Sequence, residues 1–143
     1  MEVLTDLILG TKEELAAVDP EDVPINVLPG LDIKGTGLIE LSTLYAIATG
    51  TAFDPALDSF PPVSGEESED GPWVFRFPDE LVEALSSATP ADIKRIAMEW
   101  SQTEELQQSG WPEAEVAQRL SEMSAFALKA RAAAKPVHVW TSL

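Results

Sequence analysis

The chain of 143 residues is strongly acidic: 25 Asp and Glu stand against 9 Lys and Arg, a net charge of −16, and there is no Cys. That balance repels phosphate backbones and anionic lipid surfaces, so direct binding of nucleic acid or membrane is not expected. The missing thiols exclude disulfides, thiolate nucleophiles and Cys-ligated zinc.

With 45% apolar residues the chain can bury a real core, and its length fits one domain over 1–143. The N-terminal Met1-Glu-Val-Leu-Thr-Asp6 carries acids where an export signal needs bases. No apolar run approaches the roughly 18–20 residues of a membrane span. The expected compartment is therefore the cytoplasm. Charge is unevenly placed: residues 1–72 hold 15 acids and 2 bases, residues 73–143 hold 10 and 7. Recognition steered by the protein's field should involve the first half, and a basic protein is the natural complement.

In chain order, Glu2 to Leu9 alternates as a strand, with Val3, Thr5, Leu7 and Leu9 on one face. Thr11-Lys-Glu-Glu14 is a capping box that opens a short helix over Lys12–Val18. Pro20 to Gly37 is rich in Pro and Gly and reads as loop. Leu38 to Thr49 is a helix with an apolar stripe through Leu38, Leu41, Leu44, Tyr45 and Ala48, stopped by Gly50. Residues 54–72 read as a mobile loop; Glu66, Glu67, Glu69 and Asp70 make its end acidic and leave little apolar surface to offset the entropy of ordering.

Trp73-Val-Phe-Arg-Phe77 is a short strand with three aromatics on one face, and Pro78 opens a helix after it. Thr89-Pro-Ala-Asp92 caps the next helix, along which Ile93, Ile96, Ala97 and Trp100 fall at helical spacing. That helix is expected to run on until Glu104 and Glu105. Gly110-Trp-Pro-Glu113 opens a long helix ended by Pro136, and Val137 to Leu143 alternates as a final strand. The pattern predicts an α+β fold, predominantly helical, with a small sheet of two to three strands. Leu41, Leu44, Ile96, Trp100, Leu120 and Met123 are the expected core.

Chemistry is thinly marked. His138 is the single histidine, and no Gly-x-Ser-x-Gly elbow, EF-hand loop or His-Glu-x-x-His accompanies it. Clustered acids such as Asp79, Glu80 and Glu83 sit at a helix start, where the dipole explains them. No cofactor or metal is implied. Four Trp in 143 residues is rich, and one or two could line a groove. The candidate interaction residues are Trp73, Phe75, His138 and Trp140, expected to share one sheet face, and Glu66, Glu67, Glu69 and Asp70 of the acidic loop. That aromatic face should be covered by the N-terminal segment or by a second subunit, which would make a homodimer.

The run Leu31-Asp-Ile-Lys34, the helix ending Thr49-Gly50, and Ala52-Phe-Asp-Pro55 resemble the YfbM-like family of uncharacterised bacterial proteins. The likeness covers about 25 residues and implies an α+β fold, and it departs from that family at Leu41, Leu44 and Tyr45, where the central helix should be aromatic. It implies no function. The residues themselves favour a non-enzymatic protein-binding module, such as an inhibitor or immunity-type partner of a basic protein. The alternatives are a small-molecule binder or carboxylate-based enzyme with an aromatic-lined pocket, and an acidic mimic of nucleic acid.

Overall fold

The computed structural model describes residues 4–19, 21–53, 59–65, 69 and 71–142. In order these form β1 (Leu4–Leu9), α1 (Lys12–Ala16), a 3-10 turn (Pro24–Asn26), β2 (Gly30–Asp32), α2 (Leu38–Thr49), β3 (Pro62–Ser64) and β4 (Trp73–Arg76). There follow α3 (Asp79–Ser86), α4 (Pro90–Ser101), α5 (Glu104–Ser109), α6 (Glu113–Ala133) and β5 (Val137–Ser142). No described helix is long and apolar enough to cross a membrane.

The architecture is α+β, but the sheet is larger than the sequence pattern indicates. It has five strands in the order β2-β1-β5-β4-β3, every neighbouring pair antiparallel. The two additional strands, β2 and β3, are three-residue edges inside segments that read as loop. Three residues are too few to show a period of two, and Pro62 and Gly30 punctuate them as turns do. Their extended form is imposed by the ladders of β1 and β4. β3 also lies within the 54–72 stretch expected to be irregular. Of the acidic residues there, Glu69 is exposed, while Glu66, Glu67 and Asp70 lie outside the described residues, as do 54–58.

Local signals hold elsewhere. Thr11 and Thr89 both make reciprocal capping boxes, with Glu14 and Asp92. Gly50 ends α2 in the left-handed region. Glu104 and Glu105 do not end a helix: Thr103 breaks α4 from α5 and caps the new helix by accepting the Leu106 N–H. The two acids therefore occupy a first turn, where the dipole favours them.

One face of the sheet, carrying Leu7, Leu9, Phe77, Val137 and Val139, merges with Leu41, Leu44, Leu81, Leu85, Trp100, Leu120 and Met123 in a single core cluster. All six residues expected in the core are buried. Trp100 is 0% exposed, and its Nε1–H donates to Glu40 O at 3.0 Å and Thr43 Oγ1 at 3.1 Å. The largest core side chain thus also ties α4 to α2, with its polar atom satisfied.

The opposite face bears Asp6, Ile8, Val74, Arg76, His138 and Trp140. The N-terminal segment closes over part of it. The His138 Nδ1–H donates to the Gly10 carbonyl at 3.0 Å, and the 3-10 turn packs on β1 and β2.

Candidate aromatic cleft

Where the core face of the sheet nears the start of α2, the packing leaves a cleft of about 580 Å³. Trp73 and Phe75 of β4 and Thr141 of β5 form its floor. Leu38, Ile39 and Glu40 in the first turn of α2 form one wall, and Ser109 and Trp111, on either side of the α5–α6 turn, form another. Trp73 and Phe75 reach it because β4 registers Trp73 with Thr141 and Phe75 with Val139.

Two glycines shape it. Gly35, at φ +89°, lies flat on Trp111, and a Cβ there would stand 3.1 Å from the ring. Gly71, at φ +81°, lies on Trp73, and a Cβ would come within 2.9 Å of that ring. At both positions only glycine combines the left-handed backbone with this approach. From the outside, Arg119 stacks on Trp111, its guanidinium carbon 4.5 Å from the ring centroid, while Nη1 donates to Lys34 O at 3.3 Å. Trp111 is therefore held in place by a glycine loop and a cation.

The polar groups are few. Glu40 Oε2 accepts the Gly37 N–H at 3.0 Å, which fixes the carboxylate at the cleft wall. Ser109 Oγ donates to Glu105 O at 3.2 Å. Thr141 Oγ1 lies 3.5 Å from Thr5 Oγ1. Such walls offer stacking area with a little hydrogen bonding, the composition of a recognition site for a flat ligand.

The aromatic candidates do not form one group. Trp73 and Phe75 belong to the helix-covered face, and His138 and Trp140 to the other, because β4 and β5 pair with Val74 opposite Trp140 and Arg76 opposite His138. The expectation that all four share a face fails on register: a shift of one residue in pairing exchanges the faces. The chain itself covers His138, which is 2% exposed. Burial chiefly holds its pKa below the ordinary imidazole value, Arg76 acting the same way, while the bond to Gly10 and the charge of Glu13 oppose them. Trp140 is half-buried and borders a second, smaller cleft of about 220 Å³ that lies under α1 and the following turn. Among the described acidic-loop candidates, Glu69 borders neither cleft.

Leu38 and Ile39 were not candidates from sequence, and Trp111 was one only as a member of the four Trp, yet all three wall the larger cleft. A signal existed for Trp111, since Gly110-Trp-Pro112 places an indole between helices, where it serves neither helix face. Ile39 is 51% exposed at the cleft wall.

Comparison with protein families, curated proteins and solved structures found no match to this chain.

Proposed function

We propose that this protein is a binding module whose cleft takes a flat apolar or aromatic ligand, neutral or cationic, against Trp73, Phe75 and Trp111. The observation that carries this reading is the cleft itself: its volume of about 580 Å³ lies within the range of small-molecule sites, and three aromatic rings line it. The net charge of −16 and the Glu40 carboxylate at the wall disfavour anions.

A panel of indole-, quinoline- and benzamidine-type compounds of positive, zero and negative charge tests it, read by tryptophan emission and thermal shift. Cationic or neutral members should raise the melting temperature, and carboxylate analogues should not. Trp111→Ala should weaken the responding compounds about tenfold, equivalent to 1.4 kcal/mol. A variant that binds them as tightly as the parent protein would show that they bind elsewhere.

The second reading, a non-enzymatic partner of a basic protein, is supported by charge: 15 acids and 2 bases lie in the first 72 residues. Its test is capture of a basic partner that is released by salt, because field-driven association weakens as ions screen it.

A further inference from the structure

The loop that enters α2 reads Gly35-Thr-Gly37, and both glycines line the aromatic cleft together with Leu38, Ile39 and Glu40. Gly37 is the N-cap of α2, so it has no side chain to accept the first-turn N–H groups, as Thr11, Thr89 and Thr103 do for α1, α4 and α5. No described group accepts from the N–H of Leu38 or Ile39. The helix therefore meets the cleft with donors unspent.

Two hydroxyls at the same place are also poorly satisfied. Thr36, between the two glycines, is 1% exposed, and its Oγ1 has no hydrogen-bond partner. On the cleft floor Thr141 is 7% exposed, and the one described partner of its Oγ1 is Thr5 Oγ1 at 3.5 Å, beyond the usual span of a hydroxyl pair. Buried polar groups are almost always bonded, and one left alone costs free energy. The acceptor is Glu40. Its Oε2 is held 3.0 Å from the Gly37 nitrogen, which folds the carboxylate back over the helix start, and no described donor meets Oε1. Donors and acceptor thus stand within one helical turn.

An anion is drawn to free N–H groups at a helix start, but here the Glu40 charge sits among them, and no Lys, Arg or His lines the cleft among the described residues. A cation would meet Glu40 and face the positive end of the helix dipole. A neutral group that both donates and accepts suits the two sides at once. We propose that the cleft takes a planar cyclic amide. Its carbonyl oxygen accepts from the first-turn N–H groups of α2, its N–H donates to Glu40 Oε1, and its ring system lies against Trp73, Phe75 and Trp111 over the Thr141 hydroxyl. This edge rests on the reading of the cleft as a ligand site, and it adds the polar groups by which the ligand is chosen. Such selection is strong, because a ligand lacking either group leaves a polar group of the site unpaired.

Carbostyril, N-methylcarbostyril and quinoline share one bicyclic skeleton and differ in this edge. The first donates and accepts, the second only accepts through its carbonyl, and the third has neither amide group. Each is titrated into the folded chain and followed by amide NMR. Carbostyril should bind about tenfold tighter than the other two. The Leu38 and Ile39 amide protons should move downfield with the two carbonyl compounds and not with quinoline. Glu40→Gln should remove most of the preference for carbostyril over its N-methyl derivative, because the Gln oxygen stays on the Gly37 N–H and its amide nitrogen faces the ligand. Gln keeps the bond to Gly37, so the variant should fold. Equal binding of all three compounds, each weakened by Trp111→Ala, would overturn the amide edge and leave the aromatic cleft standing. Binding by none of them, or binding indifferent to Trp111→Ala, would overturn both. Quinaldate that binds tighter than carbostyril and moves the same two amides would overturn the proposal in favour of an anion.

Discussion

The two faces of the sheet are built from the same three long strands, yet they answer to different demands. On the helix side, Leu7, Leu9, Val137 and Val139 are sealed within one cluster, and the polar atom that enters it, the Trp100 Nε1–H, finds two acceptors. On the other side stand the Asp6 carboxyl, which burial and the charge of Asp32 push up to about 6, a buried histidine and a half-buried tryptophan beside a small cleft under α1 and the turn after it. The first face supplies stability. The second holds back part of it, and such concessions concentrate where a protein meets something else.

The contrast can be broken hardest at Trp100. Trp100→Ala should cost about 3–5 kcal/mol in denaturant unfolding, as large aromatic truncations in cores do. Trp100→Phe should cost about 1–2 kcal/mol, much of it the lost bonds to Glu40 and Thr43. On the other face the sign reverses. The folded Asp6 carboxyl holds its proton to about pH 6, whereas an unfolded one releases it near 3.8. The native state binds more protons between those values, so stability falls as pH rises through that window, and the loss is complete above it. Asp6→Asn should therefore stabilise the protein by about 1–3 kcal/mol at pH 7.5 and by almost nothing at pH 3.5. A variant less stable than the parent at pH 7.5 would show that Asp6 has a structural partner after all.

Smaller effects sharpen the comparison. Trp111→Ala, at a partly open cleft, should cost no more than about 1–2 kcal/mol in thermal unfolding while removing most ligand response. The weakest signal belongs to His138. Its folded pKa is lowered, so below about pH 6.5 the unfolded chain takes up a proton that the native ring resists, and stability falls as pH drops. In the parent protein the Asp6 carboxyl opposes this slope. In Asp6→Asn the slope should steepen above the carboxylate range, where Glu14 and Asp92 do not yet contribute, and His138→Gln in that background should flatten that part of it.

Much of this was legible in the chain. Capping boxes at Thr11 and Thr89, the stop at Gly50 and the alternation of Val137, Val139 and Thr141 are local signals, and local signals survive folding when tertiary contacts agree with them. What was not legible depends on partners distant in sequence. β2 and β3 exist because β1 and β4 offer them ladders. Trp73 and Trp140 lie on opposite faces because of a pairing register that neither strand encodes alone. The aromatic cleft was half visible: Trp73 and Phe75 stood out as a stripe, whereas Trp111 joins them through the turn between α5 and α6. Asp6 looked like any acid in an alternating strand, and its burial beside Asp32 follows only from the pairing of β1 with β2 and β5.

The middle of the sheet is also where the chain's first and last described strands meet. β1 pairs with β5 along its whole length, and Thr5 and Thr141 touch across 136 residues of sequence. Every other strand is added outward from that pair. Closing so long a loop must be paid in entropy before any pairing rewards it, which makes such contacts slow to form. During synthesis the helices can assemble while β1 waits, and the sheet has no centre until residues 137–142 emerge. The aromatic cleft borders β5 through Thr141. Binding competence should thus arrive in a single late step, with the final strand.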